Sequence, residues 1–194
     1  PEKLAARVGR ILDQMGWALQ QLRRRLVGTT VELVHGRPGK NAGNQGRAGG
    51  GLSTRRLVKA LRSAKSAVLI QSPYLVLDDD GMVLFRELRA RNVAVRVVTN
   101  SLACTDNLLA FSGYYKRRDE LLQAGVELYE YKPDPATRLT LLETELHGDD
   151  PPVFAIHAKS MVIDQRLAFI GSFNLDPRSA HLNTELGVLF EHPD

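Results

Sequence analysis

Cysteine, aromatic residues and long apolar runs are all scarce in this chain of 194 residues. Cys104 is the only cysteine, which excludes a disulfide framework and a cysteine-based zinc site and predicts a reducing, cytoplasmic compartment. No apolar run approaches the roughly 18 residues that a membrane-spanning helix needs. With 43% hydrophobic and 25% charged residues, the composition is that of an ordinary globular protein. The length suits one full domain or one lobe of a larger protein.

Acidic residues are scarce in the first third of the chain. Residues 1–65 hold 14 Lys and Arg against 3 Asp and Glu, whereas residues 66–194 hold 12 against 19. A solvated surface would explain such a basic segment, and so would attraction to nucleic acid or to an anionic membrane surface. Composition alone leaves these alternatives open.

The first 52 residues form a segment of their own in the sequence pattern. Residues 3–26 have helical periodicity and predict a basic amphipathic helix, which suits a membrane surface or, more commonly, packing against a partner. A short strand is predicted over 29–35. Residues 36–53 contain seven glycines without the spacing of a phosphate-binding loop, which indicates a flexible linker. We therefore predict an N-terminal segment, 1–52, and a catalytic lobe, 53–194.

The lobe alternates apolar strands with helical stretches, which predicts an α/β fold with a mainly parallel or mixed sheet. The predicted helices are 54–64 with Ser53 as N-cap, 81–91 and 107–124, and the predicted strands are 67–70, 93–99, 126–131, 153–163, 167–170 and 185–190, with a loop over 133–152. Ligands of open sheets bind at the carboxyl ends of strands. Segments 72–74 and 99–101 and the turn at Gly171 are therefore candidate site positions.

One stretch, residues 156–185, concentrates polar side chains between apolar runs. On a strand, His157 and Lys159 project to the same side. Gly171 permits a tight backbone path that brings the Ser172 hydroxyl and the Asn174 amide toward the same point. An imidazole, an ammonium, a hydroxyl and an amide together suit the non-bridging oxygens of a phosphodiester.

Simpler explanations exist for each of these residues taken alone. A single histidine on a strand is usually a satisfied core or surface residue, and a single lysine is usually a solvated charge. A metal site is disfavoured because His147 and His181 lack ligand spacing to His157. A serine hydrolase would need a G-x-S-x-G turn, which the sequence does not contain. The joint occurrence of the polar residues therefore favours a phosphodiester site.

The pattern H-x-K, x4, D, x6, G-S-x-N, which starts at His157, resembles the signature of the phospholipase D superfamily. Residues 72–133 and 171–187 are similar to the C-terminal half of bacterial cardiolipin synthases. The resemblance covers about 53–190 and does not extend to the first 50 residues. It implies one lobe of a two-lobed α/β sandwich, with helices on both sides of the sheet. It also implies phosphatidyl transfer through a phosphohistidine, without a metal or another cofactor.

The resemblance also implies roles for individual residues. His157 would be a catalytic histidine, in a second motif more often the general acid and base, and Glu185 would orient its imidazole. Asp164 belongs to the signature but suits a structural role better, setting a turn and pairing with nearby donors. The full implied set is catalytic His157, Lys159, Asp164 and Glu185, phosphate-binding Lys159, Ser172 and Asn174, and supporting Gly171, Arg178 and Asn183.

The sequence lacks a second H-x-K motif, which the family needs. Three interpretations follow: a fragment of a two-motif enzyme, a homodimer that pairs two copies, or a catalytically idle remnant. The leading hypothesis is cardiolipin-synthase-like transfer on phosphatidylglycerol or phosphatidylethanolamine, peripheral at the inner membrane. The alternatives are a homodimeric nuclease and a non-catalytic phospholipid-binding module. The acidic lobe favours phospholipid over nucleic acid.

Overall fold

Strands and helices alternate along most of the chain that the structure describes. The computed structural model describes residues 30–36, 51–132 and 155–191. Its strands are β1 (Val31–His35), β2 (Ala67–Gln71), β3 (Ala94–Asn100), β4 (Glu127–Tyr131), β5 (Ser160–Ile163), β6 (Leu167–Gly171) and β7 (Leu186–Glu191). Its helices are α1 (Leu52–Arg62), α2 (Asp79–Ala90), α3 (Leu108–Gln123) and α4 (Pro177–His181).

All seven of these strands join one sheet in the order β1-β7-β6-β5-β2-β3-β4. The pairs β2–β3 and β3–β4 are parallel, and the other four pairs are antiparallel. The predicted α/β fold is confirmed, and the sheet is mixed with the antiparallel part the larger. For the β5–β6 pair the reason is local, because only three residues connect these strands and a parallel crossover needs a dozen or more.

Helices α1, α2 and α3 pack together on one face of the sheet. Ion pairs link α1 to β1 through Arg56 and Glu32, at 2.6 Å, and α1 to α2 through Arg62 and Glu87, at 3.1 Å. The core lies beneath the helices and includes Val68, Ile70, Phe85, Leu88, Val95 and Val97. On the other face, Leu33, Leu69 and Ile170 are exposed. Within the described ranges, the expected second helical layer is therefore not observed.

The caps decide where the helices begin and end, and α1 and α2 begin at other residues than predicted. Ser53 is not an N-cap, because α1 begins at Leu52 and Ser53 is buried in its first turn. Helix α2 begins two residues earlier than predicted, since the Asp78 carboxylate accepts the Gly81 N–H at 2.9 Å. Gly125 follows α3 with φ +80°, a conformation that ends a helix and favours glycine.

The N-terminal expectations are only partly open to comparison. The helix predicted over 3–26, most of the glycine-rich linker and the loop over 133–152 lie outside the described residues. The short strand is described as β1, and it pairs antiparallel with β7 at the edge of the sheet. The proposed boundary after residue 52 therefore separates stretches of sequence, not separate sheets, and the division into two domains stays a prediction.

Candidate functional site

The H-x-K segment lies just before β5, not inside it. Strand β5 begins at Ser160, opposite Gln71 at the end of β2, so the predicted strand start at 153 is wrong for residues 155–159. His157 and Lys159 nevertheless share one side of the extended chain. The Lys159 ammonium lies 3.2 Å from His157 Nδ1 and donates to the His157 carbonyl oxygen at 3.0 Å. The imidazole and the ammonium therefore form one unit.

The surroundings of Lys159 are acidic. Partial burial lowers the pKa of its ammonium below the ordinary value, and the carboxylates of Glu185, Asp106 and Asp176 act in the opposite direction. Burial makes the charge of Lys159 more effective toward a nearby anion, because less water screens it. Lys159 is thus a partly buried cation beside the imidazole, an arrangement that can attract an anionic oxygen.

The turn after β6 lies beside the H-x-K segment because of a glycine pair. The Gly171 N–H donates to the Lys159 carbonyl at 3.1 Å. A Cβ at Gly171 would lie 2.5 Å from the Leu186 carbonyl oxygen and 2.7 Å from Gly187 Cα. Gly171 is therefore required by the close approach of β6 and β7, since its φ is not positive.

The expected bond between Glu185 and His157 is not made. Within the described ranges, the carboxylate of Glu185 accepts the hydroxyl hydrogen of Ser172, and the His157 ring contacts Lys159. Ser172 Oγ in turn accepts the Leu186 N–H at 3.0 Å. The physical reason is register: Glu185 directly precedes β7, next to the turn that carries Ser172. With its one hydrogen used, the Ser172 hydroxyl positions Glu185 and is not free to donate to phosphate.

Three further residues of the predicted set lie around α4. The Asn174 N–H donates to Ser179 Oγ at 3.1 Å, and Asn174 Oδ1 is buried without a partner in the described part of the chain. Arg178 is exposed, and its carbonyl accepts the N–H groups of Leu182 and Asn183 at 2.8 and 2.7 Å. These carbonyl contacts close α4. No hydrogen bond joins the Arg178 side chain to His157 in the described residues.

Asp164 makes the hydrogen bonds expected of a residue that sets a turn and pairs with nearby donors. Its carboxylate accepts the N–H groups of Lys65, Ser66 and Ala67 at 2.8–3.0 Å and the Ser66 hydroxyl at 2.8 Å. It follows β5, whereas His157 and Lys159 precede β5, so roughly 16 Å of extended chain separates Asp164 from Lys159. Asp164 therefore joins the start of β2 to the β5–β6 turn and lies away from the imidazole.

We expect Asp164→Asn to destabilise the chain by about 2 kcal/mol at pH 7, because the donors around Asp164 bind a charge. Burial acts to raise the pKa of Asp164, but the three N–H groups and the Ser66 hydroxyl lower it to about 2, well below the ordinary value of an aspartate. The carboxylate therefore stabilises the fold fully above about pH 4, and this contribution disappears as the pH falls toward 2. Urea unfolding from pH 7 to pH 2 would measure the difference between the two proteins.

Asp119→Asn, on the exposed side of α3, is the matched control and should change stability by less than about 0.5 kcal/mol. A difference between wild type and Asp164→Asn that stayed constant from pH 7 to pH 2 would contradict this account of Asp164.

Asn100 is a buried residue at the site to which the sequence assigned no role. It ends β3 and is 2% exposed. Its Oδ1 accepts the Ile156 N–H at 2.8 Å, and its Nδ2 donates to the Ile156 carbonyl at 3.0 Å. The available signal was a polar side chain at the carboxyl end of a buried strand. The residue that Asn100 contacts lies 56 positions away and carries no such signal.

The imidazole lies on an open surface in the described residues. His157 is exposed, and a cavity of about 470 Å³ lies elsewhere, among side chains of α1, α2 and segment 173–181. In the ranges 30–36, 51–132 and 155–191, no three His, Cys, Asp or Glu residues group closely enough to hold a metal ion. No helix of these ranges is long and apolar enough to cross a membrane.

Most of this chain matches one protein family. Residues 57–194 match the family model described as the PLD-like domain of cardiolipin synthase. The chain is 36% identical over 166 residues to cardiolipin synthase C of Escherichia coli, which covers 86% of this chain and 34% of that protein. It is 30% identical over 134 residues to the cardiolipin synthase of Geobacillus sp., covering 69% and 22%. The chain thus spans about a third or less of the length of these relatives.

The match to the Escherichia coli protein corrects the expected extent of the resemblance. Its 166 aligned residues exceed the 142 that follow residue 52, so the match includes part of the first 52 residues. The motif-based resemblance missed this part because the glycine-rich segment contains no chemical signature.

Solved structures share the fold. The phospholipase D family member Nuc from Salmonella typhimurium superposes with a TM-score of 0.55 and 18% identity, over 85% of this chain and 84% of that chain. NucT from Helicobacter pylori gives 0.57 and 14%, over 84% and 86%. Phosphatidylserine synthase from Haemophilus influenzae gives 0.58 and 14%, over 86% of this chain and 35% of that one. At these identities the likeness establishes the fold alone.

Proposed function

This chain belongs to the family of PLD-like domains of cardiolipin synthase, and from that premise we propose that it carries half of a phosphatidyl-transfer site. The other half would be a second H-x-K motif from a partner lobe or from a second copy of the chain. The observation that carries the proposal is the His157–Lys159 unit beside the turn with Ser172 and Asn174, in which His157 is exposed and Lys159 is half-buried.

The proposed reaction has two displacements at phosphorus. In the first, one motif histidine attacks the phosphodiester, so that a P–N bond forms as the P–O bond to the leaving alcohol breaks. The other motif histidine, as imidazolium, gives its proton to the departing alcohol oxygen. In the second, that same histidine takes the proton of the acceptor alcohol, whose oxygen attacks phosphorus and breaks the P–N bond. Atoms and protons balance without another reactant.

Residues of this chain fit particular parts of the reaction. His157 supplies one of the two histidines, the acid and base by its likeness to a second motif. Lys159 holds a non-bridging oxygen, where its partly desolvated charge offsets the charge that grows in the transition state. The Asn174 amide offers a neutral donor to the same phosphate. Glu185, oriented by Ser172, stabilises the Lys159 cation.

The proposed substrates are phospholipids of the phosphatidylglycerol or phosphatidylethanolamine type at the anionic inner face of a membrane. The 36% identity to a cardiolipin synthase supports this class. The second candidate is phosphodiester cleavage of nucleic acid by a homodimer. The excess of Lys and Arg in residues 1–65 favours it, because basic segments bind phosphate backbones.

Incubation with vesicles of phosphatidylglycerol, with and without phosphatidylethanolamine, tests the proposal. We expect mass spectrometry to detect cardiolipin as the product. Its amount should increase with the fraction of dimer measured by sedimentation if two copies form the site, or with an added partner lobe if a different lobe completes it. Cleavage of plasmid DNA in EDTA without cardiolipin would favour the nuclease. Vesicle binding without turnover, whatever the assembly, would contradict catalysis and favour a binding module.

A further inference from the structure

In the described part of the chain, the H-x-K segment has no paired strand on its β2 side to fix its position, because the pairing of β2 with β5 ends at Gln71 and Ser160. In the register of β2 and β5, Gln71 pairs with Ser160, so Pro73 would come opposite residue 158 if both strands continued. They do not continue. Ser72 Oγ donates to the Tyr74 carbonyl at 2.6 Å and turns the chain, and Pro73 has no N–H to offer a ladder.

The Asn100 side chain takes the place of the missing strand. Its amide gives one hydrogen bond to the Ile156 carbonyl and accepts one from the Ile156 N–H. A residue in an antiparallel ladder exchanges the same pair of bonds with its partner. Asn100 Nδ2 also lies 3.5 Å from the Pro73 carbonyl, so the amide bridges the end of β2 and the chain before His157.

The opposite side of the segment is held by backbone. The Gly171 N–H binds the Lys159 carbonyl, three residues after the Asn100 contact. His157 thus lies between two anchors, one made by a side chain at residue 156 and one made by backbone at residue 159. We propose that Asn100 is a positioning residue, which fixes the position and the orientation of the His157 ring at the carboxyl ends of β2 and β3.

The hydrogen bonds between Asn100 and Ile156 matter for the position of His157 because Asn100 is buried. Asn100 is 2% exposed, so an amide that lost its partners could not turn to bulk water. Both polar groups of Ile156 would also lose the partner that they have here. Removal of the Asn100 amide should therefore release the chain around His157, and a shift of about 1 Å in a reacting group can lower a rate by about 100-fold.

The role in catalysis rests on the proposed function, whereas the contact itself can be tested without activity. In the full chain, Asn100→Ala should raise the amide hydrogen exchange rate of Ile156 by at least about 10-fold and shift the NMR signals of the His157 ring. Cardiolipin formation should lose about 10- to 100-fold in kcat with KM within about 2-fold, because alignment and not binding is changed.

Asn100→Asp is the second variant, in case Asn100→Ala does not fold. It keeps the acceptor for the Ile156 N–H and removes the donor to the carbonyl, so Ile156 exchange should stay slow while the His157 signals and kcat still change. Thr99→Val is the matched control. Its hydroxyl donates to the Pro73 carbonyl at 3.4 Å and is as buried as Asn100, but it makes no hydrogen bond to Ile156 in the described residues.

Two outcomes would overturn the positioning role. One is unchanged Ile156 exchange and unchanged His157 signals in a folded Asn100 variant. The other is a loss of kcat in Thr99→Val as large as in the Asn100 variants. If the wild-type chain makes no cardiolipin in any assembly, the proposed function fails, while the exchange rates and ring signals still decide whether Asn100 holds the segment.

Discussion

His157→Gln should lower phosphatidyl transfer by about 10²- to 10⁴-fold while the fold stays intact. The loss follows because an amide cannot shuttle the proton between leaving and accepting alcohols, a step that contributes this much in general acid–base catalysis. The fold should persist because His157 is exposed, and such substitutions usually change stability by less than about 0.5 kcal/mol. Cardiolipin formation and thermal unfolding, measured on the same preparations, check both parts.

His35→Gln is the control for loss of an imidazole, since His35 lies exposed on β1 at the sheet edge and should leave transfer unchanged. Equal activity in His157→Gln and wild type would end the assignment of His157.

A mixing experiment separates the two sources of the second motif. If the site forms between two copies, equal amounts of wild type and His157→Gln, allowed to exchange subunits, should give roughly a quarter of the wild-type activity, because only wild-type pairs hold two histidines. If the second motif comes from a different lobe, the same mixture should give about half. Activity of about half would therefore exclude the homodimer.

Gly171→Ala should lower the free energy of unfolding of the described lobe by about 3 kcal/mol. The new methyl group would meet the Leu186 carbonyl at 2.5 Å, Gly187 Cα at 2.7 Å and the Phe169 ring at 2.7 Å. Two of these neighbours are backbone of a paired strand, so relief requires β6 and β7 to separate, and overpacking of this kind costs about 1–3 kcal/mol or more. Urea unfolding gives the free energy of unfolding directly.

Separation of β6 and β7 should also disturb the candidate site. Gly171 also holds the Lys159 carbonyl, so the folded fraction of Gly171→Ala should show shifted His157 ring signals. Gly36→Ala is the control, because its methyl group would meet neighbours only at 3.4–3.6 Å, ordinary contact distances. A change below about 1 kcal/mol in Gly171→Ala would show that β6 and β7 are not packed as closely as described.

Short-range features of this protein were predictable from its sequence. Apolar periodicity located every described helix of eight or more residues to within a few residues, because these patterns repeat over one or two turns or pleats. It located the described strands equally well, except for the start of β5, which was predicted seven residues too early. His157 and Lys159 meet as expected, since two positions along an extended chain share a side. The contacts of Asp164 with nearby donors were expected in the same way, because Asp164 lies in the short turn between β5 and β6.

Contacts between distant parts of the chain were not predictable in this way. Glu185 was expected on His157 and instead binds Ser172, because the register of β6 and β7 decides which side chain the carboxylate reaches. Strand β5 begins only at Ser160, opposite the last residue of β2, so the Asn100 side chain and not a neighbouring strand binds the chain before His157.

The sequence by itself determined which chemical groups lie in the candidate site, because His157 and Lys159 are two positions apart and the Gly171 turn is a local feature of the chain. Only the tertiary structure decided how those groups are held. Asn100 and Ile156 are 56 residues apart, and their hydrogen bonds exist only once β2, β3 and β5 have assembled side by side in the sheet. Pairing across such distances depends on register and packing, which no local pattern of residues encodes.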